Sequence, residues 1–264
     1  MSTTFLRRCL ISLNKASQTK RCLKASLPLH NQLADQHTHA EQTISSRVTL
    51  NDGHTMPIFG LGSWAVEGVE SYEAVVDAAN VGYRLIDTAQ WYNNERMVGK
   101  ALAETGLPRD DYFVVTKLSP DLHGYDSAKV NLAKSLELLG LNYVDLFLIH
   151  SPHGGSNVET WRAFTELKGE GLTRSIGVSN YNIHHVERLL AEGLELPAVN
   201  QFELHPWNQY PGPVRYCREK GITVMGYCPL ARCQYFDTPK CAHVDVLCEK
   251  YGKTRAQVRP FFEA

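Results

Sequence analysis

Short apolar runs recur along the chain at nearly even intervals, about one strand and one helix apart. The seven runs lie at residues 57–64, 83–89, 111–118, 144–150, 173–180, 198–204 and 222–230. Most of them are almost continuously apolar and do not alternate with polar residues. We therefore predict the strands of a parallel sheet that is covered on its faces.

Amphipathic stretches fill the intervals between these runs. Apolar residues recur there at spacings of three and four, and glycines follow them as at a helix C-cap. We predict helices over residues 71–82, 127–140, 159–171 and 183–193. Before the first run, Asp52-Gly53 separates two short alternating stretches. It predicts a β-hairpin that opens the domain, since glycine supplies the positive φ of a tight turn.

Two parallel architectures are consistent with this pattern, the doubly wound open sheet and the (β/α)8 barrel. An open sheet that binds a dinucleotide carries GxGxxG after its first strand, whereas Gly60-Leu61-Gly62 is followed here by Ser-Trp-Ala-Val-Glu-Gly. Polar residues instead end nearly every run, namely Ser63, Asp87, Lys117, His150, Ser179-Asn180, Gln201 and Tyr227. Because a barrel builds its active site from many strand ends, we predict a (β/α)8 TIM-type barrel.

Charge and composition exclude several classes of partner. The chain of 264 residues has 27 Lys+Arg against 28 Asp+Glu, a formal net charge of −1, so we expect no nucleic acid partner. No apolar run approaches the ~20 residues of a membrane span, so we expect no membrane partner. Seven cysteines, an odd number without CxxC spacing, indicate reduced thiols and no metal site.

Residues 1–46 differ from the rest of the chain. No Asp or Glu occurs up to Ala34, where six Arg and Lys residues lie among Ser, Thr, Leu and Ala. This composition is typical of a mitochondrial transit peptide and, equally, of a disordered basic extension. We therefore divide the chain into a leader with a polar linker (1–46) and a barrel (47–264). We expect a cytoplasmic protein, or a mitochondrial one if the leader is a transit peptide.

Three of these polar residues, together with Tyr92, are suited to the reduction of a carbonyl group. Hydride transfer leaves negative charge on the oxygen, which then needs a proton donor. Tyr92 can serve if a cation lowers the pKa of its phenol from about 10. Lys117 is the natural cation, and Asp87 can hold its ammonium group. His150 can hydrogen-bond the substrate oxygen. Each of these residues alone has an ordinary structural explanation. The presence of all four at or after strand ends is not explained in that way.

The segments around these positions resemble the aldo-keto reductase family. They are GYRLIDTAQWYNNE (82–95), VVTKL (114–118), LIH (148–150), IGVSN (176–180), NQFELHP (200–206) and GYCPL (226–230). The resemblance covers about residues 47 to 258. It implies a (β/α)8 barrel and NAD(P)H-dependent reduction of aldehydes or ketones without metal or flavin. It also implies that Asp87, Tyr92, Lys117 and His150 form the catalytic tetrad.

The resemblance further implies a cofactor site and a substrate pocket. Ser179, Asn180 and Gln201 match residues that bind the nicotinamide carboxamide, and Tyr227 matches the aromatic residue that stacks on the nicotinamide ring. The implied cofactor-binding residues are Ser63, Asp87, Ser179, Asn180, Gln201, Tyr227, Cys228 and Leu230. The implied substrate-binding residues are Trp64, Tyr92, His150 and Ser151.

The chain departs from the family pattern in three places. Ser151 stands where many relatives have Trp, which predicts a smaller or more open pocket wall. Cys228 replaces the usual Ser of the seventh-strand motif. VDVLCEKYGKTRAQV (244–258) runs into RPFFEA. We therefore expect a barrel that lacks the eighth strand, the helix after it, the basic loop for the adenosine 2′-phosphate and the C-terminal substrate loop.

Together these features predict a monomeric NADPH-dependent carbonyl reductase of the alcohol dehydrogenase (NADP+) or aldehyde reductase type. Its substrate is a small carbonyl compound and Tyr92 is its general acid. NADH is an alternative cofactor, because the 2′-phosphate loop is expected to be absent. The alternative function is a catalytically weak or inactive truncated barrel that acts as a binding or regulatory protein. The tetrad favours the enzyme, and the missing strand favours the alternative.

Overall fold

The computed structural model describes residues 42–235, 238 and 241–258. The leader predicted for residues 1–46 lies outside this part as far as residue 41, and so does the terminal RPFFEA. The division into leader and barrel, and the expected lack of an eighth strand in the complete chain, therefore stay predictions. Among the helices that the structure describes, none is both long enough and apolar enough to cross a membrane.

The described chain opens with the predicted hairpin. Strands β1 (Arg47–Thr49) and β2 (Thr55–Pro57) pair antiparallel. Gly53 lies between them with a φ of 90°, and its N–H donates to the Leu50 carbonyl oxygen at 3.0 Å. Since this backbone conformation is strained for residues with a Cβ atom, glycine permits the turn at low cost.

Seven parallel strands form the main sheet, and each pairs with the next in chain order. They are β3 (Gly60–Gly62), β4 (Leu85–Asp87), β5 (Phe113–Leu118), β6 (Val144–Ile149), β7 (Thr173–Ser179), β8 (Val199–Glu203) and β9 (Thr223–Tyr227). Each predicted run contains one strand, and the predicted architecture is confirmed as a nearly closed parallel barrel. β3 and β9 are the end strands, and within the described residues no pairing joins them.

Helices alternate with the strands along the chain. They are α1 (Gly68–Asn80), α2 (Glu95–Glu104), α3 (Tyr125–Leu139), α4 (Asn157–Gly169), α5 (Ile183–Ala191), α6 (Pro211–Lys220), α7 (Ala242–Tyr251) and α8 (Arg255–Val258). The four predicted helices correspond to α1, α3, α4 and α5, each with ends shifted by up to three residues. Short 3₁₀ turns follow several strands, at Gln90–Tyr92, Pro120–Leu122, Pro152–Gly154 and Ala231–Cys233.

Alternation along the strands divides the apolar residues between two cores. The larger core lies between the sheet and the helices and includes Ile86, Val114 and Phe147. The smaller core contains Leu50, Met56, Leu85, Phe113, Val115, Leu146, Leu148, Ala198 and Val199. Since this core combines hairpin residues with residues near the starts of strands, the hairpin covers the end of the barrel at which the strands begin.

The same alternation places polar side chains at the other end of the barrel interior. On β5, Val115 belongs to the inner core and Lys117 follows two residues later. After β6, His150 stands in the same relation to Leu148. Residues two apart share one face of a strand, so these polar groups face inward at the ends where the strands finish. The fold thereby gathers the candidate site residues.

Candidate active site

Lys117 is the central charged group of the site and is almost completely buried, with 1% of its side chain exposed. Its ammonium donates to Asp87 Oδ1, to the Thr88 carbonyl oxygen at 3.0 Å and to Tyr92 Oη at 3.2 Å. All three of its protons therefore have acceptors. Burial opposes the charge, but Asp87 and Tyr92 together raise the pKa of Lys117 above its ordinary value. The ammonium stays protonated at neutral pH.

Asp87 is fixed through both its carboxylate oxygens and its backbone. While Oδ1 accepts from Lys117, Oδ2 accepts from Gln201 Nε2 at 2.6 Å. The carbonyl oxygen of Asp87 accepts from the amide and the hydroxyl of Ser63, at 2.9 and 3.0 Å. Asp87 therefore connects β4 with β5, with β8 and with the residue after β3, and it holds the Lys117 ammonium in one place.

Tyr92 lies at the end of the 3₁₀ turn after β4, with its phenol facing Lys117. The ammonium is also 4.9 Å from the centre of the Tyr92 ring. Burial raises the pKa of the phenol, Lys117 lowers it, and the net pKa is above its ordinary value. Lys117 thus acts in the expected direction, but burial has the larger effect on this pKa. Tyr92 holds its proton.

The turn that carries Tyr92 is attached to the neighbouring strand and helix by one side chain. Gln90 accepts from the Ser119 amide at 3.1 Å through Oε1. Its Nε2 donates to the Asn131 carbonyl oxygen and to Ser135 Oγ, both at 2.9 Å. Gln90 therefore ties the turn to α3 and to the loop after β5.

His150 follows β6 and stands edge-on to two aromatic rings. Its ring centre is 5.6 Å from that of Tyr92 and 5.7 Å from that of Trp91, with interplanar angles of 79° and 75°. Burial and the charge of Lys117 lower the pKa of His150 to about 3. The imidazole is therefore neutral at physiological pH, and one of its nitrogens carries a proton that can be donated. Its Nδ1 is buried without a hydrogen-bond partner.

The predicted carboxamide-binding residues form a connected group beside His150. Ser179 Oγ donates to the Gln201 carbonyl oxygen at 3.0 Å. Asn180 Nδ2 donates to the His150 carbonyl oxygen at 3.2 Å, and the Tyr227 hydroxyl donates to Asn180 Oδ1 at 3.1 Å. The structure thus brings the ends of β6, β7, β8 and β9 to one mouth of the barrel, as the sequence predicts.

The family profile described as "Aldo/keto reductase family" matches residues 57–239, well over half of the chain. This chain belongs to the aldo-keto reductase family. A Mycolicibacterium vanbaalenii relative named aldo-keto reductase is 43% identical over 213 residues, which are 80% of this chain and 75% of the relative. Family members are oxidoreductases that act on small carbonyl compounds.

Solved structures of aldo-keto reductases share this fold. The crystal structure of the Brucella melitensis aldo/keto reductase has a TM-score of 0.76 and 40% identity, covering 81% of this chain and 82% of that one. The Bombyx mori aldo-keto reductase, solved in complex with NADP, has a TM-score of 0.74 and 35% identity. That match covers 82% of this chain and 79% of the silkworm chain. These matches show that this aldo-keto reductase has the (β/α)8 barrel fold of its family.

The polar groups at the mouth of this aldo-keto reductase are suited to a nicotinamide carboxamide. Gln201 uses its Nε2 to donate to Asp87, so its Oε1 can accept from an amide. Ser179 and Asn180 lie next to it, and the ring of Tyr227 offers a flat apolar face. At Gly62, the last residue of β3, an added Cβ atom would meet no atom within 4 Å. The residues present therefore suit the cofactor that the fold family implies.

The remaining predicted residues lie in the loops around the mouth. Trp64 is 50% exposed at the rim. Ser151 Oγ accepts from the His153 amide at 3.3 Å and so begins the turn after β6. Cys228 is half-buried with a φ of 54°, directly after β9. Leu230 is half-buried and accepts from the Cys233 amide at 2.9 Å.

Trp91 is a residue of the site that the sequence reasoning missed. Its side chain is 67% exposed although it directly precedes Tyr92 and contacts the His150 ring edge-on. An exposed indole beside two catalytic candidates adds an apolar surface at the pocket. The available signal was its position inside TAQWYNNE, next to the predicted acid.

Proposed function

We propose that this chain reduces aldehydes or ketones to alcohols, with NADPH as hydride source and Tyr92 as general acid. The observation that carries the proposal is the contact of the buried Lys117 ammonium with Tyr92 Oη at 3.2 Å. The NADP in the Bombyx mori structure supports NADPH, which carries a 2′-phosphate on its adenosine, over NADH. The assembled tetrad also favours the enzyme over the binding or regulatory alternative.

Bound NADPH supplies the hydride. The chain's own residues bind the carbonyl oxygen and manage the proton. Neutral His150 donates a hydrogen bond to this oxygen, while Tyr92 keeps its proton because burial raises the pKa of the phenol. Once the oxygen becomes an alkoxide, it is a far stronger base than a phenolate, and the proton moves from Tyr92 Oη.

Lys117 stabilises the phenolate that remains after the proton has moved. Its ammonium already lies at hydrogen-bond distance from Tyr92 Oη, so no reorganisation is needed when the charge appears. Asp87 keeps the ammonium in place and balances its charge. Trp64, Trp91 and Ser151 border the space for the organic part of the substrate.

The variant Tyr92→Phe tests the acid directly. We expect it to bind NADPH like the wild type in a fluorescence titration, because the change removes only one hydroxyl. Its rate of NADPH oxidation with an aldehyde should fall at least about a hundredfold, the usual contribution of a general acid. The control is Tyr251→Phe, at a tyrosine that is 59% exposed on α7.

The outcomes separate the two parts of the proposal. Full activity of Tyr92→Phe would show that the acid is another group. No NADPH binding to the wild type at saturating concentration would refute the reductase and leave the binding or regulatory alternative.

A further inference from the structure

Arg232 contacts three segments around the mouth of the barrel. It lies in the 3₁₀ turn after β9, and its Nη2 donates to Glu203 Oε2 at 2.9 Å, at the end of β8. Its guanidinium carbon is 5.3 Å from the ring centre of Trp64, in the loop after β3. It also hydrogen-bonds Cys228. None of the roles derived above for the site uses this side chain.

These contacts connect the two end strands of the sheet. β3 and β9 share no backbone pairing within the described residues. Elsewhere around the barrel, strand pairing sets the distance between neighbouring loops. Between β9 and β3 the contact of Arg232 with Trp64 links the two loops.

The loop of Trp64 is held in two different ways. Its backbone is fixed by the fully buried Asn94, which donates to the carbonyl oxygens of Ser63 and Val66 at 2.8 and 2.9 Å. The indole itself is half exposed and can change rotamer without disturbing those bonds. A cation over the ring face favours one position of the indole, and Glu203 orients that cation.

We propose that Arg232 is a positioning residue that holds the Trp64 indole as a wall of the carbonyl pocket. The proposal rests on the proposed function, since it treats Trp64 as a wall of that pocket. Arg232 then acts on the binding of the organic part of the substrate and not on the transfer of hydride or proton. Bulky aromatic aldehydes, which reach the wall, should depend on it more than short aliphatic ones.

A fluorine label on tryptophan makes the indole position measurable without any activity. The chain has four tryptophans, so protein labelled with 5-fluorotryptophan gives few 19F resonances, and Trp64→Phe identifies the one from Trp64. We expect Arg232→Met and Glu203→Gln to shift this resonance, whereas the fully buried Trp161 stays unchanged. Arg232→Lys should restore part of the wild-type position, because it retains the cation.

The kinetic test compares benzaldehyde with propanal. For Arg232→Met, KM for benzaldehyde should rise about two- to fivefold, the size of an exposed cation–π contact, with kcat unchanged and KM for propanal nearly unchanged. Arg188→Met is the control, at an exposed arginine on α5. Thermal melting of each variant establishes that it is folded, and Glu203→Gln tests the contact if Arg232→Met does not fold.

Each outcome decides between the proposals. An unmoved Trp64 resonance in both Arg232→Met and Glu203→Gln would overturn the positioning role. A moved resonance with an unchanged KM for benzaldehyde would overturn its effect on the pocket. If the Trp64 resonance moves in the variants but the wild-type protein reduces no aldehyde, the proposed function is refuted and the contact of Arg232 with the indole still stands.

Discussion

His150 is a residue whose surroundings decide its chemistry. Burial and Lys117 hold its imidazole neutral, with a pKa of about 3, although a free histidine near pH 6.5 is half protonated. The sequence shows that residue 150 is a histidine and that it lies at the end of a predicted strand. It does not show the protonation state, because that state depends on a lysine that only the barrel brings near. The same holds for Tyr92, whose pKa is raised by burial in spite of Lys117.

The lowered pKa of His150 makes the stability of the fold depend on pH. Between pH 6.5 and 3 the unfolded chain binds a proton at this residue and the folded chain does not, so stability falls as the pH falls. Between pH 7.5 and 5.5 this single group should cost about 1.4 kcal/mol. In urea denaturation, the free energy of unfolding of His150→Gln should fall less between these two pH values than that of the wild type. The difference should be about 1.4 kcal/mol.

The exposed His243 on α7 provides the control for this measurement. His243→Gln should lose stability with pH as the wild type does. His123, whose pKa burial also lowers, remains in both variants and contributes equally to each. If His150→Gln and the wild type lost the same stability between pH 7.5 and 5.5, the claim that the His150 imidazole is neutral in the folded chain would be contradicted.

At the scale of elements, the spacing of apolar runs predicted all seven strands, because continuous apolar stretches are a local property of buried parallel strands. Each observed strand is shorter than its predicted run, since the runs extend into the loops. Helices α2 and α6 were not singled out by periodicity. α6 contains two prolines, a glycine and five charged or tyrosine residues, so it lacks a clear apolar face in sequence. Its ends are instead marked by Pro211 at the start and by Gly221 as the C-cap.

Gly99 shows that packing between helices overrides intrinsic helix propensity. A Cβ atom there would lie 2.6 Å from Leu139 Cα, in the backbone of α3. Gly99→Ala should therefore destabilise the fold by about 1–3 kcal/mol through overpacking of α2 on α3, even though alanine favours helix by about 1 kcal/mol. The free energy of unfolding in urea measures this difference.

Gly169 is the matched control, since an added Cβ atom at this helical glycine meets nothing within 4 Å. Gly169→Ala should stabilise the fold by about 0.4–1 kcal/mol, because it reduces the entropy of the unfolded chain. If Gly99→Ala stabilised the fold as well, the predicted overpacking of α2 on α3 would be contradicted.

At the scale of the whole molecule, the two ends of the barrel carry different tasks. The ends at which the strands finish hold the candidate site. The other end contains Asp145, with 3% of its side chain exposed. Its carboxylate accepts from Arg109 at 2.7 Å, from the Val114 amide at 2.8 Å and from Arg174 at 3.3 Å. This network joins β5, β6 and β7 where they begin. It supports the fold and lies apart from the tetrad.

Removal of the Asp145 carboxylate should therefore affect stability and not catalysis. Asp145→Ala leaves the buried Val114 amide without its acceptor, which should cost about 1–3 kcal/mol in urea denaturation. The kcat/KM of the folded protein should not change. Asp110→Ala is the control from the same cluster, because Asp110 is 78% exposed and its ion pair with Arg174 should contribute at most about 1 kcal/mol.

The sequence by itself determined the family and the order of the seven strands, and it predicted the four residues of the proposed tetrad. These are readable because the spacing of apolar runs and the residues at strand ends are local properties of the chain. The tertiary structure alone decided the protonation states of Tyr92 and His150 and the place of Trp91. It also revealed the contact between Arg232 and Trp64. Burial, charge and ring contacts depend on residues far apart in the chain, and only the closure of the strands toward a barrel sets their distances.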